Sequence, residues 1–220
     1  CISQNYWHSF TAESYRKDLL PAASALAIQK VFIDPFWEND MTKQRDGKLK
    51  VPQYGNMCCP HEYEVAKCLG GVKAYRKLAR DAGAMGVELQ SWIGSHQSIH
   101  SPLLKSFDGP HCNEIIRMAD GRHWWKSGYD SILGMDLTTT FGTMFRDSII
   151  RAYKATGVRR FLYDSFYNFA FMPVNYYTLD PSDPKNQHKG ALRPHTQWRA
   201  LLKIMAAWQK AGLEMTIESL

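Results

Sequence analysis

Residues 137–164 read LTTTFGTMFRDSIIRAYKATGVRRFLYD, and this stretch decides the fold. The hydroxyl side chains at its start are typical helix caps, and the apolar spacing that follows predicts a helix from about Phe141 to Thr156. Gly157 ends that helix, as glycine commonly does. Arg160–Asp164 is then a short, mostly apolar strand, so the stretch predicts one helix–strand unit of an α/β protein.

The same alternation runs along the rest of the 220-residue chain. Further strands are predicted at Cys1–Gln4, Val31–Asp34, Gly86–Trp92 and Leu213–Glu218. Further helices are predicted from Thr11 or Ser14 to Ala27, from Glu62 or Gly71 to Ala82, and over Thr196–Ala211. Strands that alternate with helices favour a parallel sheet with right-handed crossovers.

Two architectures have such a sheet, the doubly wound open sheet and the eight-stranded barrel. The long aromatic insertions all follow the C-terminal ends of strands, whereas the returns from helix to strand are short, which is typical of barrel enzymes. No GxGxxG or GxxxxGK[ST] motif supports a nucleotide-binding open sheet. We therefore expect a partial (β/α)8 TIM barrel with strands 1 to 5 present and the chain truncated before the barrel closes. Residues 1–220 would be the N-terminal part of a catalytic barrel domain.

Charge and composition narrow the possible partners. The net charge is +6, but the densest basic run, Lys43–Lys50, is interrupted by Asp46 and Gly47, which indicates a solvated loop and no nucleic-acid partner. The longest uncharged aromatic stretch, Ser165–Leu179, is too short to span a bilayer, so no membrane partner is expected. Five cysteines without regular spacing do not indicate a disulfide framework. Neither localisation nor oligomeric state can be inferred.

Acidic residues stand at the C-terminal ends of three predicted strands, namely Asp34, Asp164 and Glu218. In a barrel these carboxylates would face one mouth, and buried carboxylates are costly unless they are paired or used in chemistry. Cleavage of a glycosidic bond needs two such groups. Aromatic residues that can stack on sugars lie near the strand ends, among them Trp7, Trp37 and Trp92. A carbohydrate substrate is therefore predicted.

The sequence gives less support for a metal site or for a catalytic triad with a Ser or Cys nucleophile. Cys58 and Cys59 are adjacent, and together with His61 and Cys68 they do not have the spacing of a closed zinc site. His96 and His100 lie four residues apart without an intervening Glu. No nucleophile-elbow motif is present. No metal and no cofactor are predicted.

Several segments resemble the retaining α-galactosidases, the melibiase-like glycoside hydrolases whose clan includes the raffinose synthases. Gly70–Trp92 resembles the family segment in which a "GGLK" helix leads to a strand ending in "LW". The "MDLTT" at Met135–Thr139 and the "GVRRFLYDSF" at Gly157–Phe166 resemble the next helix and strand. Val31–Trp37 is similar to "IDDGW", and the final strand is similar to a family strand that carries a Glu.

This resemblance implies a role for each of the singled-out residues. Asp164 would be the nucleophile, and the general acid/base would come from the strand after the point where this sequence stops, beyond residue 220. Asp34 and Trp37 would contact the sugar in the deep subsite, and Trp92 would line it. The family requires no cofactor.

The sequence also departs from the family pattern. Pro35 replaces a second Asp, Leu162 replaces a Lys two residues before the nucleophile, and Gly94 or Ser95 replaces a Glu. These departures leave two alternatives open beside hydrolysis. One is a non-catalytic glycan-binding barrel, and the other is glycosyl transfer of the raffinose-synthase type.

Overall fold

The structure of the chain is a computed structural model, which describes residues 2–4, 11–33, 63–65, 69–98, 102–107, 114–118, 132–164, 176–177, 191–192 and 194–217. Within these ranges the fold is α/β. Ten strands are present: β1 Ile2–Gln4, β2 Lys30–Ile33, β3 Glu88–Ile93, β4 Gln97–Ser98, β5 Arg117–Met118, β6 Ile132–Leu133, β7 Arg160–Tyr163, β8 Tyr176–Tyr177, β9 Ala191–Leu192 and β10 Glu214–Ile217. The helices are α1 Ala12–Ser14, α2 Leu20–Ala25, α3 Gly71–Ala84, α4 Thr140–Thr156 and α5 Pro194–Lys210.

The main sheet has five strands in the order β1-β2-β3-β7-β10, and every neighbouring pair is parallel. These are the five strands that the sequence predicts, in their order along the chain. The helix between each pair of strands is also where the apolar spacing predicts it. The α/β class and the parallel sheet are therefore confirmed.

The two faces of the sheet differ in what they contact, because successive side chains of a strand point to opposite sides. Ser91 of β3 and Tyr163 of β7 face the helices, since Tyr75 of α3 hydrogen-bonds Ser91 and the Phe145 ring of α4 contacts the Tyr163 ring. The strand register places the following residues on the opposite face: Phe32, Gln90, Trp92, Arg160, Leu162, Asp164, Glu214 and Thr216.

Aromatic packing around Phe145 joins the helices to the sheet. The Phe145 ring lies 5.3 Å from Trp208 of α5, 5.8 Å from Phe141 and 5.0 Å from Tyr63, between ring centroids. Phe141, Phe145 and Trp208 are fully buried. Since aromatic rings bury the most apolar surface per residue, this cluster anchors α4 and α5 against β7.

The connection from each helix to the next strand of the main sheet contains a residue with positive φ. Gly86, Gly157 and Gly212 take this conformation at φ values of +71°, +79° and +94° after α3, α4 and α5. Ala27 stands in the equivalent place between α2 and β2, with φ of +53°. A residue with a side chain is strained at positive φ, so Ala27 destabilises the turn before β2, whereas the glycines do not destabilise the other three turns.

Several small elements were not predicted from the sequence. A π-helical turn at Tyr15–Leu19 precedes Pro21, which has no N–H to donate, so the loss of regularity expected there takes the form of a wide turn. The predicted loops contain a 3-10 helix at Pro102–Phe107 and the antiparallel pairs β4–β6, β5–β8 and β8–β9. The long insertions after the strands therefore contain short regular elements that the sequence did not predict.

Candidate active site

Asp164 is the first residue after β7. Its backbone N–H donates to the carbonyl of Ile93 at 2.9 Å, which continues the pairing of β7 with β3 by one residue. The side chain is half-buried. The carboxylate thus lies at the C-terminal edge of the parallel sheet, where open α/β sheets and barrels build their sites.

The indole of Trp92 contacts this carboxylate. Nε1 of Trp92 donates to Oδ2 of Asp164 at 3.0 Å, and Trp92 is buried with 5% of its surface exposed. Trp92 pairs in register with Leu162, so Trp92 and Asp164 are diagonal neighbours on the same face. A hydrogen bond to an ionised acceptor in a partly buried place is among the stronger kinds.

Gly94 makes room for this indole. A Cβ built on Gly94 would come within 2.6 Å of Cη2 and 2.7 Å of Cζ2 of the Trp92 ring. Because the ring is buried, it could not move aside without disturbing its own packing. The lack of a side chain at residue 94 therefore permits the ring position that reaches Asp164. In the family pattern this region appeared only as the place where a Glu is replaced.

Buried hydroxyl groups support the segment that follows β3. The Tyr163 hydroxyl donates to Ser95 Oγ at 2.8 Å, and the Tyr63 hydroxyl donates to the Gly94 carbonyl at 3.0 Å. Gln97 in turn donates to the Tyr63 hydroxyl at 2.7 Å. Burial raises the pKa of the Tyr163 phenol above its ordinary value, the hydrogen bond to Ser95 opposes that shift, and the charge of Asp164 adds to it. Tyr163 therefore stays neutral and acts as a donor.

The opposite end of the same sheet face carries an ion-pair cluster. Arg160 pairs with Glu88 of β3 and with Glu214 of β10, the latter at 2.7 Å. Arg159 reaches the same two carboxylates at 3.1 Å each. These charges lie at the N-terminal ends of the strands, away from Asp164, so they join three strands and leave the C-terminal edge to the Trp92–Asp164 pair.

A fully buried carboxylate supports the start of α4, a role that was not predicted from the sequence. Asp136, from the "MDLTT" segment, is fully buried, and its Oδ1 accepts from Thr138 N at 2.9 Å and from Gln197 Nε2 at 2.6 Å. Gln197 Oε1 accepts from Leu137 N at 2.9 Å. This network ties the segment before α4 to α5. The only sequence signal was an Asp two residues before a Thr, the pattern of an Asx-turn.

Several residues predicted from the sequence lie outside the described residues. These are Asp34, Trp37, Glu218 and Trp7. Cys58, Cys59, His61 and Cys68, whose spacing did not favour a zinc site, also lie outside the described residues. The structure brings together Asp164 and Trp92, while the common cavity for all three carboxylates stays a prediction. In the part of the chain that the structure covers, no three His, Cys, Asp or Glu side chains converge as a metal site would require. His96 is buried.

None of the described helices is both long and apolar enough to cross a bilayer.

Comparison with known proteins gives a clear likeness only at the level of structure. No protein-family model and no curated protein matches the chain. Among solved structures, it resembles the GH36 α-galactosidase AgaA from Geobacillus stearothermophilus in complex with raffinose, with a TM-score of 0.65 and 14% identity over 98% of this chain and 27% of that one. The α-galactosidase from Lactobacillus brevis gives 0.65 and 13%, over 99% of this chain and 26% of that one. The maltogenic α-amylase AmyB from Thermotoga neapolitana gives 0.61 and 15%, over 94% of this chain and 41% of that one.

At these identities the likeness concerns the fold. The chain has the α/β fold of barrel-type glycoside hydrolases and spans between 25% and 42% of the length of the structures compared. The α-galactosidases and the α-amylases match about equally well, so the likeness does not separate the two groups.

Proposed function

We propose that residues 1–220 form the first five strands of a (β/α)8 barrel, as the N-terminal part of the catalytic domain of a retaining, α-galactosidase-like glycoside hydrolase. The single observation that carries the proposal is the position of Asp164, which lies at the C-terminal edge of the sheet with its carboxylate held by Trp92. The fold shared with barrel glycosidases supports it. The substrate class would be terminal α-linked sugars.

In this mechanism an oxygen of Asp164 attacks the anomeric carbon and forms a glycosyl ester as the glycosidic C–O bond breaks. The leaving oxygen takes a proton from a second carboxylic acid, which the family resemblance assigns to the following strand. Water then hydrolyses the ester with that group as base, so the sugar keeps its anomeric configuration. Trp92 can hold Oδ2 in both states, because an ester carbonyl accepts a hydrogen bond as a carboxylate does. Oδ1 is then the attacking atom.

Other residues are assigned to the sugar. Asp34 follows Phe32 by two residues and Glu218 follows Thr216 by two, so strand alternation would place both on the face of Asp164. We assign them to sugar hydroxyls in the deep subsite. Trp7 and Trp37 are assigned to the apolar faces of the sugar ring, and Trp92, which is buried, lines the subsite and orients Asp164. No cofactor takes part.

The test is removal of the nucleophile in the full-length protein with an activated aryl α-glycoside. Asp164→Gly is expected to lower turnover at least about 1,000-fold, and added azide is expected to restore cleavage with formation of the β-glycosyl azide, since the small anion attacks from the vacated side. Asp18→Asn, an exposed carboxylate on the first helical segment, is the matched control. Unchanged turnover in Asp164→Gly would remove the assignment.

A second candidate function rests on Leu162. This half-buried apolar residue pairs in register with Trp92 where the family has a Lys, so the cation expected near the nucleophile is absent at that position. A glycan-binding barrel without turnover fits this feature. Calorimetric titration of α-linked oligosaccharides distinguishes the two, because a binder leaves the recovered sugar intact. Product analysis separates hydrolysis from transfer to a second sugar.

A further inference from the structure

A groove between α4 and α5 lies on the helix side of the sheet, apart from Asp164. Its volume is about 410 Å³. Facing stripes of the two helices line it: the N-cap residue Thr139 with Thr143 and Arg146 of α4, and Thr196, Arg199 and Lys203 of α5. These residues recur every three or four positions, so each set lies on one side of its helix. Leu137 and Ile204 are buried and form the apolar floor.

The charges in this groove are unbalanced. Three cationic side chains line it and no carboxylate does. Arg146 is compensated, because its Nε and a terminal nitrogen donate to Asp147 at 2.7 and 3.1 Å. This contact is also the main cause that lowers the pKa of the Asp147 carboxyl, so Asp147 is ionised at neutral pH. In the described part of the chain, no carboxylate pairs with Arg199 or Lys203.

Without a bound anion, these cations lower the stability of the folded protein. Arg199 and Lys203 are exposed and stand at i and i+4 on α5, where like charges repel and destabilise a helix. Arg146, across the groove, is already paired with Asp147, so the uncompensated charge of the groove comes from Arg199 and Lys203. The helix N-termini add to the positive potential, because Thr139 caps α4 and Thr196 lies in the first turn of α5. An anion in the groove would relieve the repulsion.

The groove also offers the donors that a tetrahedral oxyanion needs. Arginine presents a planar fork of N–H groups and lysine a compact ammonium, and both are common phosphate ligands. Thr143 and Thr196 add hydroxyl groups at the rim. The volume fits a small molecule, whereas a polyanion would require cations along a longer surface.

We propose that the groove between α4 and α5 binds a small ligand that carries a tetrahedral oxyanion ester, a phosphate or a sulfate. Arg199 and Lys203 are the main ligands of the oxyanion, with the threonine hydroxyls beside them, and the apolar floor packs against the rest of the molecule. This site is separate from the sheet edge that holds Asp164, and it does not depend on the proposed glycosidase activity.

The test measures oxyanion binding to the full-length protein by thermal unfolding and isothermal titration. Inorganic phosphate and inorganic sulfate are compared with chloride at equal ionic strength, and glucose 6-phosphate is compared with glucose. Saturable binding of the oxyanions with a rise in Tm is expected, and glucose 6-phosphate is expected to bind more tightly than inorganic phosphate. Preference between phosphate and sulfate identifies the ester. Equal effects of chloride and the oxyanions would overturn the proposal.

Two variants and one control locate the site. Arg199→Gln and Lys203→Gln are each expected to weaken phosphate binding at least about fivefold, and their helicity is expected to persist, because Gln is a good helix former. Lys210→Gln on the same helix, outside the groove, removes the same charge and is expected to leave binding unchanged. Equal weakening in Lys210→Gln would show a general charge effect and contradict the proposal.

A measurement on the unmodified chain avoids any question about folding of the variants. Phosphate is expected to protect the Lys203 amine from acylation relative to Lys210, quantified by mass spectrometry. Equal labelling of the two lysines at every phosphate concentration would also contradict the proposal.

Discussion

The indole nitrogen of Trp92 lies 3.0 Å from Oδ2 of Asp164, so a side chain of β3 holds the carboxylate at the end of β7. This contact needs the space above Gly94. A methyl group at residue 94 would overlap the far edge of the indole, at 2.6 Å from Cη2. The position of the ring, and through it the position of the Asp164 carboxylate, therefore depends on the absence of a side chain at residue 94.

Gly94→Ala is expected to displace the Trp92 ring and break its hydrogen bond to Asp164. The loss of packing and of this bond should lower the free energy of unfolding by about 1–3 kcal/mol, measured by urea denaturation. The indole N–H resonance of Trp92, assigned with Trp92→Phe, should shift. Gly83→Ala is the matched control, since a Cβ there meets nothing within 4 Å inside α3, and it should stabilise the chain by about 0.5–1 kcal/mol. A Gly94→Ala variant with an unmoved indole resonance would show that the ring does not need this space.

Ala27→Gly is expected to stabilise the protein. Ala27 has a φ of +53° at the return from α2 to β2, where the other returns use glycine. Removing the Cβ should raise the free energy of unfolding by roughly 0.5–1 kcal/mol, because the relief of strain exceeds the added entropy of the unfolded chain. Ala22→Gly, at an exposed position within α2, should destabilise it by a similar amount. Equal destabilisation by both variants would mean that Ala27 is not strained.

Gln197→Leu is expected to be strongly destabilising. Its side-chain amide bridges Asp136 Oδ1 and the Leu137 N–H inside the core, so the apolar variant leaves two buried polar groups without this partner. The expected loss is about 2–4 kcal/mol in chemical denaturation. Gln209→Leu on the exposed side of α5 makes the same chemical change and should alter stability by less than about 0.5 kcal/mol. A small effect of Gln197→Leu would mean that water replaces the amide.

The buried phenols of Tyr75 and Tyr163 should limit stability at alkaline pH. Burial is the main cause that raises the pKa of each, with hydrogen bonds to Ser91 and Ser95 acting in the opposite direction. Their stabilisation is fully present below the unfolded pKa of about 10 and is lost as the pH rises above it, by up to about 1.4 kcal/mol per pH unit for each group. Denaturation series at increasing pH measure this loss. Tyr163→Phe should flatten the slope, and an unchanged slope would exclude Tyr163 as a cause.

Much of the sheet is predictable from local sequence. The runs Val31–Ile33 and Phe161–Tyr163 are apolar on successive residues because both faces of a parallel strand are covered, and this pattern also locates Asp164 at a strand end. The short pairs such as Gln97–Leu133 and Tyr176–Leu192 are not predictable in this way. They contain two residues each and exist only because distant segments meet.

The polar contacts of the site are also non-local. Gln197 looks like a surface residue of an amphipathic helix, and its burial follows from a carboxylate 61 residues away. Trp92 and Asp164 were each expected near the site, but the bond between them depends on the alignment of β3 with β7. Spacing within one strand carries no information about that alignment.

The register between β3 and β7 determines which side of the sheet the Asp164 carboxylate faces. Trp92 lies opposite Leu162, and side chains alternate sides at every step, so sliding β7 by a single residue would bring Phe161 or Tyr163 opposite the indole and point the carboxylate at the helices. A mispaired molecule could keep much of its secondary structure and still be inert. In a refolding experiment, the secondary-structure content measured by circular dichroism would then overstate the yield of correctly paired protein. The indole resonance of Trp92 would report only the fraction in which β3 and β7 are correctly aligned.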